Sequence, residues 1–227
     1  MNKPLAEQPE TRQRLLEVAG EVFAEQGFRG ATVREICQRA EANVAAVNYH
    51  FGGKEGLYGE VLRFAHGCAF AKYPPDMGLE AGASPKQRLH AFVRSFLLRV
   101  LDDGQPAWHG KLMVREIADP TGALDAIVRD GIRPHFATLM GVVTDLLGPR
   151  LAADPDRVRY AAWSVVGQCL FYFFGQPVIR RLHPAQGLAP EDVDALARHI
   201  TDFSLAALTH YPPQPNSAGG TDTGGGS

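Results

Sequence analysis

Apolar residues recur along this chain at steps of three and four, and no stretch shows the strict apolar–polar alternation of a half-buried strand. The pattern predicts an all-α protein. Over residues 32–40, Val33, Ile36, Cys37 and Ala40 form one stripe, with Thr32 as N-cap and Glu35 three residues later to complete a capping box. Glu41 and Ala42 read as a turn, and Asn43 as the N-cap of a second short helix over 44–51. A longer helix, about 54–73, must stop before Pro74-Pro75. Ser84 then caps a helix whose face is Leu89, Phe92, Val93, Phe96, Leu97 and Val100, and which Gly104 and Pro106 end. A short helix over 108–118 follows, then one over 122–147 that Pro134 should kink or split and Gly148-Pro149 close. Asp154-Pro155 open a helix to about Phe174, and a last helix spans about 190–210. The tail from 212 to 227 is rich in Pro, Gly and Ser and poor in apolar residues, so it is expected to be disordered. No repeat of solenoid length occurs.

The pair of helices over 32–51 is where the pattern meets chemistry. The second helix contains no Asp, Glu, Lys or Arg. A solvated surface helix normally carries several, whereas a helix set into the DNA major groove can use small and neutral polar residues against base edges. Val33, Ile36, Val47 and Phe51 then hold the pair at its angle. Val44, Ala45, Ala46 and Asn48 face bases, Asn48 matching an adenine edge and the small apolar residues a thymine methyl. Asn43 stands at the helix start, and Arg29, Thr32, Arg34, Tyr49, His50 and Lys54 flank the groove as phosphate contacts. The alternative is a plain helical hairpin packed in a core.

These residues resemble the TetR family of bacterial transcriptional regulators. The resemblance rests on ETRQRLLEVAGEVFAEQGFRGATV, with Phe23, Gly27 and Phe28 ahead of Thr32, and on NYHFGGKEGLY, with Tyr49, His50, Phe51, Lys54, Glu55 and Leu57 in the family's order. It covers roughly the first sixty residues. Two departures stand out: Glu41 occupies the turn position the family usually gives to Gly, predicting a strained backbone or a slightly different turn, and Val44 replaces a frequent Lys or Arg. The segments GQPAWHGKLMVREIADPTGALDAIVRDGIRPHF and WSVVGQCLFYFF are similar to the C-terminal domain of the CecR-like branch. That likeness implies ligand-controlled repression, of drug or toxin export functions.

Net charge of −2 and a pI of about 6.4 give no overall basicity. Residues 1–57 hold seven Lys or Arg against eight Glu, so any attraction to phosphates must be local. Three cysteines, Cys37, Cys68 and Cys169, are odd in number and widely spaced, which reads as buried thiols in a reducing cytoplasm. The N-terminus has no apolar signal segment and no run approaches membrane-spanning length, so a soluble, cytoplasmic protein with no membrane partner is expected.

A second candidate site lies in the middle of the chain. Trp108, His109, Leu112, Arg115, Glu116 and His135, with Gln168 and Tyr172 as polar handles, read as a mixed pocket for a small organic inducer; a packed Trp beside a satisfied ion pair at a helix junction is the other reading. The eight histidines show no metal spacing, and neither a nucleophile elbow nor a phosphate-binding Gly loop occurs, so no catalytic, metal or cofactor site is expected. The sequence thus divides into a DNA-binding head (1–55), a ligand-sensing and dimerisation domain (56–211) and the tail. The partners expected are double-stranded DNA bearing a palindromic operator, a small-molecule inducer and a second copy of the chain. One short helix reads few base pairs, and two heads about 34–36 Å apart read successive major grooves. Ala161, Val165, Cys169, Leu205 and Leu208 are the expected dimer contacts. Two other classes remain: a small all-α enzyme using His109, Arg115 and Glu116, and a protein-interaction adaptor that has lost DNA binding.

Overall fold

Helices are the regular elements of the computed structural model, which describes residues 7–101, 108–184 and 192–210. In chain order they are α1 (Glu7–Gly30), α2 (Val33–Arg39), α3 (Val44–Phe51), α4 (Lys54–Lys72), α5 (Pro85–Leu101), α6 (His109–Ala118), α7 (Ala123–Ile127), a π-helical turn (Val128–Ile132), α8 (Arg133–Ala152), α9 (Pro155–Phe174), α10 (Gln176–Leu182) and α11 (Val193–Thr209). The expected end of α5 at Gly104 and Pro106, the start of the last helix at Pro190 and the tail lie outside the described residues.

Two apolar cores organise these helices. The first gathers Leu15, Leu16, Ala19, Val22 and Phe23 of α1, Ile36 and Cys37 of α2, Val47 and Phe51 of α3, and Leu57, Tyr58, Val61, Leu62 and Ala65 of α4. Trp108, Leu112 and Ile127 join it from further along the chain. The second core joins Leu89, Phe92, Val93 and Leu97 of α5 with Leu139, Val142 and Val143 of α8, Val158, Ala162 and Val165 of α9, and Ala197 and Ile200 of α11. α4 packs Leu57, Tyr58, Val61, Leu62 and Ala65 into the first core and carries His66 and Phe70 on towards α5 and α8.

Local chemistry accounts for the element ends. Ser84 makes a complete capping box: its backbone N–H and its hydroxyl donate to Gln87 Oε1, and the Gln87 N–H donates to its Oγ. Asp154 caps α9 by accepting from the N–H groups of Asp156 and Arg157. Pro134 acts as expected, but the break falls just ahead of it. Its ring excludes the carbonyl four residues back and it offers no N–H, so the chain makes the wide turn Val128–Ile132 and splits the long helix into α7 and α8. Gly131 in that turn allows close approach: a Cβ there would lie 2.8 Å from His66 Nε2. Gly148, at φ 70°, interrupts α8, and a last turn led by Pro149 runs to Ala152.

α10 has no counterpart in the sequence reading, although Pro177 in its first turn and Arg180 and Arg181 in its last are a start and stop signal. The dimer candidates need correction. Ala161, Val165, Cys169 and Leu208 are buried inside the protomer's own second core, and Leu205 packs against it. Small apolar residues on α9 and α11 turn inward, while Tyr160, Trp163, Phe171, Phe174 and Phe203 stand outside. Cys37 and Cys169 are buried free thiols; Cys68 is half-buried.

Candidate nucleic-acid interface and buried cavity

α2 and α3 form a helix-turn-helix held by short-range bonds. Thr32, in extended backbone, accepts from the Glu35 N–H at 3.2 Å. The reciprocal half of the box is replaced: Glu35 Oε1 accepts from Gln26 Nε2 at 2.7 Å and Arg39 Nη2 at 2.8 Å. Glu41 takes a positive φ of 49°, the strain expected where a Gly is missing. Arg14 Nε fastens the turn by donating to the Ala40 carbonyl at 2.7 Å. Asn43 Oδ1 accepts from the Ala45 N–H at 2.9 Å, so this side chain is committed to starting α3. Gly52 in the left-handed region ends it, and Gly53 leads directly into α4.

On α3, Val47 and Phe51 face the core, and Val44, Ala45, Asn48 and Tyr49 are exposed on the opposite side. Tyr49 is 74% exposed. An exposed tyrosine beside an exposed valine on an uncharged helix is costly to leave in water, and is suited to a groove. Ala46 and His50 are half-buried, and Ala46 packs against the first core. Ala46 is thus less accessible from outside than Val44 and Ala45. Thr32 and Arg34 are exposed beside α3. Lys54, at the start of α4, lies 4.7 Å from the Phe28 ring centroid. Arg29 is paired with Asp119 at 3.0 Å, which places it at the joint with α6. Arg39 with Glu25 and Glu35, and Arg12 with Glu60, are similarly engaged within the head.

Of the two readings of the cluster in the middle of the chain, a pocket or a packed Trp with bonded polar groups at a helix junction, Trp108, Leu112, Arg115 and Glu116 fit the second. Trp108 lies against Gly20, where a Cβ would come within 2.1 Å of its ring. Leu112 is fully buried in the first core. Arg115 donates from Nε to the Ala24 carbonyl at 2.9 Å and from Nη2 to the Glu25 carbonyl at 2.8 Å, both near the end of α1. Glu116 is buried and accepts from Tyr58 Oη at 2.8 Å and from the Thr121 N–H at 2.9 Å. Burial first, and the bond to Glu116 second, hold the Tyr58 phenol above its ordinary range. Trp108, Leu112, Arg115 and Glu116 thus tie α6 to α1 and α4. They form neither a cavity wall nor, with His109, a converging catalytic set.

His109 and His135 face a different space. A cavity of about 230 Å³ lies between α4, α5, α6, α8 and α9, walled by Phe70, Phe92, Phe96, Met113, Phe136, Val166, Leu170 and Phe173, and bearing Arg99, His66, His109 and His135 as its polar groups. Burial, followed by nearby positive charge, lowers His66 and His109 to about 4. His135 is lowered for the same reason. Burial brings Arg99 down to about 10. The rings of His66 and His135 stack on Phe70 at centroid distances of 4.3 and 3.7 Å. Among the described residues these imidazoles form no metal-binding group. Gln168 and Tyr172 lie elsewhere, on a groove with Phe171, His199 and Phe203. Arg99 escaped the sequence reading, although it sits on the face of α5 that carries Phe92 and Phe96, one turn beyond the latter.

A helix-turn-helix that presents an uncharged helix outward, joined by one shared helix to a bundle with an apolar cavity, is the architecture of a DNA-binding regulator. Comparison with known proteins agrees. Residues 15–61 match the model of bacterial regulatory proteins of the tetR family, and residues 85–208 the C-terminal domain of the HTH-type transcriptional dual regulator CecR. The chain belongs to the TetR family of bacterial regulatory proteins, in the branch with a CecR-type C-terminal domain. Its relative CecR of Shigella flexneri is 25% identical over 178 residues, 75% of this chain and 78% of that protein. The transcriptional regulator SrpR of Pseudomonas putida is 38% identical over 78 residues, 34% of this chain and 37% of its own length. The chain spans 37–58% of the lengths of several such regulators. The fold is shared with the crystal structure of AibR in complex with isovaleryl coenzyme A and operator DNA, at TM-score 0.61 and 19% identity, covering 85% of this chain and 97% of that one. Family and curated relatives are transcriptional regulators, not enzymes. Among the described residues no helix is long and apolar enough to cross a membrane.

Proposed function

We propose that this protein is a dimeric transcriptional repressor of the cytoplasm that binds a palindromic operator through two α2–α3 units and leaves it when a small molecule fills the cavity, with drug or toxin export genes as its targets. One observation carries this reading. α4 begins at Lys54, directly after the DNA-reading helix, and carries His66 and Phe70 of the cavity wall between three and five turns later. A ligand that moves the cavity end of α4 moves the head. For a tenfold loss of operator affinity the ligand must favour the released state by only about 1.4 kcal/mol. AibR, caught with both a ligand and its operator, is a protein of this fold in which the two meet.

The exposed aromatic face of α9 and α11, with Tyr160, Trp163, Phe171, Phe174 and Phe203, supports the dimer. So many large apolar side chains in water favour coverage by a second copy. Fluorescence anisotropy with the DNA upstream of the protein's own gene, at two salt concentrations and against a scrambled duplex, tests the proposal. Selective, salt-sensitive binding that weakens when Tyr49 is replaced by Ala is the expected result. Equal weak binding to both duplexes, with almost no salt dependence, would instead fit an adaptor whose helix-turn-helix no longer reads DNA.

A further inference from the structure

The cavity among α4, α5, α6, α8 and α9 has an unusual balance of groups. Its wall is almost wholly apolar, yet it holds a guanidinium and three imidazoles, and among the described residues neither Asp nor Glu lines it. Arg99 Nε donates to the Ser95 carbonyl at 3.2 Å, and the guanidinium carbon lies 3.8 Å from the Phe70 ring centroid. Its Nη2 is buried and meets no hydrogen-bond partner among the described residues. The same holds for His109 Nε2. A nearby acidic group is the Cys169 thiol, which burial pushes up to about 12 and so keeps neutral. A buried guanidinium that meets no counter-charge among the described residues, beside an imidazole whose Nε2 meets no partner among them, is costly to maintain. It is the complement of a carboxylate, whose oxygens accept charge-assisted hydrogen bonds.

We infer that the cavity takes a small monoanionic ligand, a carboxylate on an apolar body, with the anion between Arg99 Nη2 and His109 Nε2 and the body among Phe92, Phe96, Phe136 and Phe173. This deepens the proposed inducer site and rests on that reading. The volume of about 230 Å³ selects a compact acid, since pockets for drug-sized ligands start at roughly 300 Å³. The position of the anion also gives a route outward. Arg99 stacks on Phe70, a residue of α4, so an acid that draws the guanidinium inward changes the contact that α4 makes with the cavity.

The test is calorimetric titration of the full-length protein with octanoate and hydrocinnamate, each against its own primary amide. Acids should bind saturably and at least about tenfold tighter than the matched amides, because a charge-assisted hydrogen bond from Arg99 replaces a neutral one. In Arg99→Met the acid should lose that advantage while the amide keeps its affinity, and Arg99→Lys should retain part of the preference. Equal affinity of acid and amide, no saturable binding of either acid, or an undiminished preference in Arg99→Met would overturn the inference. Operator anisotropy on the same samples separates the two claims. Acid preference without operator release would leave the anion site standing and remove the inducer role, whereas operator binding by a protein with no acid preference would do the reverse.

Discussion

Single atoms decide the head-to-body joint. Gly20 carries no Cβ, and Trp108 occupies the space one would fill, so Gly20→Ala forces the indole out of the first core. The expected cost is about 1–3 kcal/mol, as for other overpacked sites, seen as a lower urea midpoint together with a shifted tryptophan emission. Tyr58→Phe removes the phenol bond to buried Glu116 while Thr121 still serves the carboxylate. It should cost about 1–3 kcal/mol at an unchanged denaturant slope. Neither relationship was legible from the chain. Trp108 and Glu116 were visible as unusual residues in an apolar region, but their partners lie 88 and 58 positions away, at Gly20 and Tyr58. Helical periodicity says which face a residue occupies, not which distant helix meets it.

Helices and their caps are the scale at which the sequence spoke most clearly. Thr32, Asn43, Ser84 and Asp154 all cap the helices expected of them, because a capping side chain and its N–H target are two or three residues apart and leave a local signature. The uncharged face of α3 and the positive φ of Glu41 were readable for the same reason. The dimer candidates on α9 fall inside the protomer's own core because a helix apolar nearly all round does not say which stripe is covered by its own bundle. Asn43→Ala should cost about 1 kcal/mol of stability through the lost bond to the Ala45 N–H. It should also weaken operator binding in anisotropy, since α3 starts at that bond; Asn43→Ser should restore most of both.

Over the whole molecule, the cavity ties stability to pH and, in the proposed function, ligand to DNA. His66 and His109 hold folded values of about 4 against the ordinary 6.5, so the unfolded chain takes up protons first as pH falls. Stability is therefore full above about pH 6.5 and declines as pH drops towards 4, with half-buried His109 contributing at most a slope of about 1.4 kcal/mol per pH unit. Urea midpoints measured across that window should fall for the native protein and fall less steeply in His109→Phe, where His66 still titrates. The three imidazoles and Arg99 come from four different helices, which is why the cavity stayed hidden behind the scatter of histidines along the chain.

The central claim is that cavity and operator act on one another through α4, and linkage makes it measurable in both directions. Titrating octanoate into the protein–operator complex, and operator into the protein–octanoate complex, should give the same factor of weakening in each. Saturation of the cavity with no change in operator affinity would contradict the account.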